Sequence, residues 1–141
     1  MVRTVVLLCG PPGAGKTTIA RASGMDVYDR DDPEWVTEAQ FLAALDVLGD
    51  QLDARAVVIR SGATSSARAR WADRIRATHT FLVTEPPDVS AARVRARGRD
   101  DMVRTLAGIK RWWSTFDDRD DVRPFVSWTS AFDTSLGLMT D

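Results

Sequence analysis

The sequence predicts an α/β domain of three layers, a four-stranded parallel sheet covered by helices on both faces. Three observations carry that expectation. Short apolar runs alternate with longer stretches of helical periodicity, the first run leads straight into a glycine-rich turn, and no internal repeat or low-complexity linker interrupts the 141 residues. A chain of this length, taken as one domain spanning 1–141, can bury a single core but not two.

Thr4 to Cys9 is a continuous apolar run, as expected of a strand buried on both faces. Gly10 to Gly15 reads as a loop, Lys16 to about Ser23 as a helix, and Met25 to Asp29 as a second strand. Asp32-Pro33-Glu34 signals a helix start, with Asp32 as cap, Pro33 in the first turn and Glu34 favourable to the dipole. Trp35, Phe41, Leu42, Leu45 and Leu48 then give one apolar stripe, and the helix extends to about Asp53. Ala56 to Arg60 is a third strand, Ser65 to Ala77 a third helix and Thr80 to Thr84 a fourth strand. Pro86-Pro87-Asp88 turns the chain into a helix from Val89 to about Arg97. Gly98 ends it, and Asp100 or Asp101 caps a further helix to about Phe116. The last 25 residues hold an acidic run, Asp117 to Asp121, and then Phe125, Trp128 and Phe132. They read as a loop followed by a segment folded back on the domain.

Composition excludes several classes. Hydrophobic residues at 44% and charged residues at 28% are ordinary globular values. With a net charge of −1, any contact with a polyanion has to come from arginines gathered on one face. The single cysteine, Cys9, excludes a disulfide framework and reads as a small core residue. The only histidine, His79, has no ligand partner nearby and reads as structural. The N-terminal apolar run is too short for a signal peptide or a membrane span, so a soluble, cytoplasmic protein without a membrane partner is expected.

Gly10-Pro11-Pro12-Gly13-Ala14-Gly15-Lys16-Thr17, followed by Thr18, satisfies G-x-x-x-x-G-K-[ST] between a strand and a helix. Glycines let successive backbone N–H groups curl around phosphate oxygens. Lys16 reaches the β- and γ-phosphates, and the Thr17 hydroxyl is the Mg²⁺ ligand. The motif predicts a P-loop fold that binds ATP or another nucleoside triphosphate together with Mg²⁺.

Asp29-Arg30-Asp31-Asp32 follows the second strand, where a parallel sheet presents its ligand face. A carboxylate there can accept the proton of an acceptor hydroxyl during phosphoryl transfer, and Asp31 is the expected base. The loop together with Asp-Arg-Asp-Asp resembles the 5′-hydroxyl polynucleotide kinases of bacteriophages, over roughly residues 3–100. In that family an Arg-Asp-Asp stretch carries the catalytic Asp, and the resemblance puts it at Asp31. The resemblance also implies an Arg-x-x-x-Arg-Gly lid at Arg93, Arg97 and Gly98, and, by analogy with such kinases, the strand order 2-3-1-4. The family's acceptor-gripping arginine has no counterpart, because Glu34 stands in its place. At this length the phosphatase domain that accompanies some of these kinases is not expected.

Arg93 and Arg97 share a helix face and can neutralise charge on a transferring phosphoryl group. Arg95 and Arg99 are expected to face solvent or acceptor. Arg60 and Ser61 occupy the end of the third strand, where many P-loop kinases place an Asp. Asp29 is therefore open to either the magnesium role or acceptor binding. Arg60 and Ser61 are candidate acceptor-binding residues. Arg70 and Arg74, on one face of the third helix beside Trp71, would suit single-stranded nucleic acid. Of the adjacent Trp112 and Trp113, one is expected in the core, the other as a base platform or homodimer contact. The sequence thus favours an ATP-dependent kinase acting on a nucleic-acid hydroxyl, at a 5′ end or on a modified base. A kinase for a nucleoside, nucleotide or metabolite is the alternative, and a nucleotide-binding protein without transfer the third reading.

Overall fold

The computed structural model describes residues 2–98 and 100–132. Strand β1 (Thr4–Cys9) lies at the centre of the sheet. It pairs in parallel with β3 (Arg55–Arg60) on one side, Val6 opposite Val57, and with β4 (His79–Leu82) on the other, Val6 opposite His79. Strand β2 (Asp26–Asp29) extends the sheet beyond β3, and β5 (Arg123–Pro124) extends it beyond β4, both in parallel. The order is therefore β2-β3-β1-β4-β5. The predicted 2-3-1-4 core is present, with a fifth strand added. A two-residue strand carrying Pro124 has neither the length nor the alternation that marks a strand in sequence.

The six residues of β1 are all buried, and their alternation divides the core in two. Val5, Leu7 and Cys9 join Ala56 and Val58 on one face, packed against helices α2 (Glu38–Asp50) and α3 (Ser65–Ile75) through Phe41, Leu45, Leu48 and Ile75. Val6, Leu8, Val57, Ile59 and Phe81 face the other way, toward Ala20 of α1 (Lys16–Arg21) and toward Phe125 and Trp128. Helices α4 (Pro87–Arg97) and α5 (Met102–Thr115) pack on each other, and Trp112 of α5 enters the first core cluster. The short α6 (Trp128–Ala131) folds back so that Trp128 Nε1 donates to the Ile19 carbonyl at 2.7 Å. The folded-back tail expected from sequence is this segment; residues 133–141 lie outside the described residues.

One boundary differs in a way that matters for the site. Helix α2 starts at Glu38, not at Pro33, because Thr37 and Gln40 form a reciprocal capping box. Asp32 is consequently no helix cap; its carboxylate pairs with Arg21 at 3.5 Å. The stretch from 30 to 37 becomes a loop at the mouth of the sheet, and Trp35 packs from that loop onto Tyr28 and Phe41.

Candidate active site

The Gly10–Thr17 loop leaves β1 at the carboxyl end of the sheet. A side chain at Gly10 would collide with the Val83 carbonyl oxygen, so only glycine lets β1 and the end of β4 approach this closely. Gly13 and Gly15 hold φ of 77° and 95°, the left-handed region that other residues disfavour. The turn depends on both. Lys16 Nζ donates to the carbonyls of Gly10 and Pro11, the latter at 3.0 Å, and burial pushes its pKa down to about 8.

Thr17 Oγ1 donates to Asp29 Oδ2 at 2.7 Å, joining the first residue pair of the site across α1 and β2. Asp29 is buried, and its other oxygen accepts from the Asp31 backbone N–H at 3.1 Å. That bond turns the chain so that Asp31, itself exposed, lies over the loop. Among the described residues no group of three or more His, Cys, Asp or Glu comes together as a metal cage. The Thr17 hydroxyl and Asp29 carboxylate are instead a hard two-oxygen set, which suits a Mg²⁺ that arrives on a triphosphate and keeps water ligands. Sequence left Asp29 between metal and acceptor; its contact with Thr17 favours the metal side.

Two compartments meet here. One, of about 570 Å³, runs along the loop from Pro12 to Thr18 and is closed by Asp29, Asp31, Arg97, Asp101 and Thr105. The other, of about 240 Å³, lies between Lys16, Asp31, Arg30, Arg60 and Ser61. Lys16, Asp29 and Asp31 line both. Arg60 Cζ sits 3.9 Å from the Trp71 ring centroid, and its Nη2 reaches Glu38 Oε1 at 3.4 Å. Ser61 fixes this strand end, because its carbonyl accepts from Gly10 N at 3.0 Å and from Trp112 Nε1 at 2.7 Å.

The two arginines expected to form a lid divide. Arg93 donates to the Gly13 carbonyl at 2.9 Å and to Glu85 Oε2 at 2.8 Å, pinning α4 to the loop. Arg97, one turn on, is exposed and lines the larger compartment. Arg95 is exposed on the same helix, and Arg99 lies outside the described residues. The α3 arginines do not join the site. Arg74 pairs with Asp46 of α2 at 2.8 Å near the far end of the sheet, where Arg3 holds the Ile75 carbonyl. Arg70 is exposed and lines neither compartment, and Trp71 is occupied by Arg60. The stacking surface expected there is therefore not formed by these three residues. Trp112 is the core tryptophan; Trp113 is partly buried against the same cluster. Cys9 is fully buried with its thiol pushed up to about 12, and burial lowers the pKa of His79, as expected of structural residues.

Sequence reasoning missed Arg68 and Glu38. Arg68 is almost completely buried on α3 and grips Asp120 with two bonds, at 2.7 and 2.9 Å. It also donates to the carbonyls of Gly62, Ala63 and Asp117. It thereby ties the start of α3 and the acidic run to the strand end beside the site. Asp120 lies 52 residues away, so no local pattern announces the pair.

No protein-family model and no curated protein matches the chain. Solved structures do. A sugar kinase from Janibacter sp. HTCC2649 superposes with a TM-score of 0.65 at 18% identity, covering 99% of this chain and 95% of that one. A gluconokinase from Sinorhizobium meliloti 1021 gives 0.60 at 19%, covering 97% and 91%. A shikimate kinase from Bacteroides thetaiotaomicron gives 0.52 at 16%, covering 98% and 99%. This chain has the P-loop kinase fold. These likenesses do not show the resemblance to bacteriophage polynucleotide kinases. No described helix is long and apolar enough to cross a membrane.

Proposed function

We propose that this chain transfers the γ-phosphoryl group of ATP to a hydroxyl of a small molecule. The observation that carries the reading is Asp31 at the seam of the two compartments, next to the Thr17–Asp29 pair. The loop amides and Lys16 bind the β- and γ-phosphates. Thr17 and Asp29 would hold Mg²⁺, which neutralises charge on the phosphates. Asp31 accepts the proton as the acceptor oxygen bonds to the γ-phosphorus and the bond to the β,γ-bridging oxygen breaks, releasing ADP. Arg97 supports charge on the equatorial oxygens, and Arg93 keeps the lid helix on the loop.

Three features favour a small acceptor over the nucleic acid suggested by the motif resemblance. The acceptor compartment, about 240 Å³, has room for a metabolite rather than a polymer segment. Of the basic face expected on α3, Arg74 is paired with Asp46 and neither Arg70 nor Arg74 lines the two compartments. The sugar kinase, gluconokinase and shikimate kinase that share the fold carry names of kinases for small hydroxylated molecules. Against a non-catalytic nucleotide switch, Asp29 brings to Thr17 the carboxylate that Arg60 does not supply at the end of β3.

Separate roles for the two aspartates test the mechanism. Asp31→Asn is expected to lower kcat by orders of magnitude with nucleotide affinity nearly unchanged. Asp29→Asn is expected to raise the Mg²⁺ concentration needed for half-maximal nucleotide binding. If Asp31→Asn turns over at the wild-type rate, the proposed base is wrong.

A further inference from the structure

Within the kinase reading, the side chains of the smaller compartment also constrain the acceptor's charge. Arg60 is held in place by its surroundings, with its guanidinium stacked on Trp71 at 3.9 Å and Phe41 at 5.4 Å. The side chain is only 18% exposed. A partly buried cation normally needs a close counter-ion. The chain shows what that looks like at Arg68, which has two short bonds to Asp120 and three to backbone carbonyls.

Arg60 is provided for far less well. Its carboxylate partner, Glu38, is shared: one oxygen lies 2.8 Å from Arg30 Nε, and the other reaches Arg60 at a long 3.4 Å. Arg30 also donates to the Trp35 carbonyl at 3.1 Å, so it is committed to holding the loop. Two guanidinium groups thus share one carboxylate that is itself 49% exposed. Asp31, just past the end of β2, lines the same compartment, and its carboxylate would repel an anionic group and accept from a hydroxyl.

We infer that the acceptor is itself an anion, a small hydroxy acid or phosphorylated polyol whose carboxylate or phosphate is gripped by Arg60 while its hydroxyl meets Asp31. A planar guanidinium fixed on an aromatic ring is pre-organised for a two-oxygen anion, so little side-chain freedom is lost on binding. Charge at the two ends also sets direction, with the anion at β3 and the hydroxyl at β2. Arg60 is in this account the specificity determinant of the site.

The test is calorimetric titration of the full chain, loaded with Mg²⁺ and a non-hydrolysable ATP analogue, with matched pairs of probes. These are D-gluconate against D-glucitol, and glycerol 3-phosphate against glycerol. At least one anion is expected to bind ten-fold or more tightly than its neutral partner, and the stronger arm identifies carboxylate or phosphate. Arg60→Gln should abolish the preference, Arg60→Lys should restore part of it, and Asp31→Asn should keep it. Equal binding of anion and neutral partner, no anion binding, or an unchanged preference in a folded Arg60→Gln protein overturns the inference. Transfer of phosphate only to neutral hydroxyl compounds would refute the anion subsite and leave the kinase reading standing. Arg60-dependent anion binding with no transfer to any hydroxyl would do the reverse.

Discussion

Removing the Asp120 carboxylate would leave Arg68 buried without its counter-ion, and the size of the loss can be worked from geometry. Arg68 is 1% exposed while Asp120 is 35% exposed. Breaking a buried ion pair from one side costs about 3–5 kcal/mol, and partial access of water to the vacated position puts Asp120→Ala near about 3 kcal/mol. A 141-residue chain has an unfolding entropy of about 0.3 kcal/mol/K, so Tm should fall by about 10 °C. The Arg74–Asp46 pair is the internal control. It has the same two-bond geometry, at 2.8 and 3.1 Å, but lies on the surface, and Asp46→Ala should melt within error of the wild type. The buried pair should also weaken in acid. Arg68 holds the Asp120 carboxyl below the usual carboxylate range. Its contribution is therefore full above the unfolded-state value near 4 and is lost as pH falls through the lower folded value. The assay is thermal and urea unfolding of both variants at pH 7 and at descending pH. An Asp120→Ala protein that melts within 2–3 °C of the wild type would show that Arg68 finds other partners and that the reasoning is wrong.

Other outcomes concern the phosphate loop and lid. Lys16 is lowered from 10.5 to about 8 by burial, so its charge on the nucleotide-free protein is lost above pH 8. Nucleotide affinity, measured by calorimetry, should be flat below that pH and fall by up to about ten-fold per unit above it. Without ligand the folded chain binds fewer protons than the unfolded chain between pH 8 and 10.5, so Lys16 makes stability rise with pH in that window, and Lys16→Met should remove the rise. The lid arginines should separate kinetically: Arg97→Ala lowers kcat with little change in KM for ATP, whereas Arg93→Ala weakens ATP binding by freeing α4 from Gly13.

The legible parts of this chain are those where function and backbone chemistry sit in one short stretch. The P-loop dictates its own conformation, since a collision at Gly10 and positive φ at Gly13 and Gly15 leave few residue choices. The apolar run from Thr4 to Cys9 pairs in parallel with the strand read at Ala56 to Arg60, buried there from Ala56 to Ile59, and that gave the sheet. The boundary of α2 was harder because Asp32-Pro33-Glu34 offers a valid helix start that the Thr37–Gln40 box outcompetes. Strand β5 is two residues long and is defined by its neighbour, with Phe125 N donating to the Leu82 carbonyl at 2.8 Å. Within the site, Asp29 and Asp31 follow from the end of β2. The roles of Arg60 and Arg68 depend on partners such as Trp71, Glu38 and Asp120, which only the tertiary fold supplies. Arginine spacing on α3 pointed to a shared face at Arg70 and Arg74, but spacing alone cannot tell a surface ion pair from a substrate platform.

The most direct test of a small-molecule kinase is to follow γ-labelled ATP in parallel reactions. One set holds small hydroxy acids, phosphorylated polyols, polyols and nucleosides, a second holds oligonucleotides with free 5′-hydroxyl groups, and a third holds buffer alone. Lys16→Ala serves as the background. The account predicts label on a low-mass product, absent with Lys16→Ala and nearly independent of salt. Label on the oligonucleotide, with transfer falling steeply as salt is added, would contradict it and restore the nucleic-acid acceptor. Label released only as inorganic phosphate at the same rate in buffer would contradict it in favour of a nucleotide hydrolase or switch.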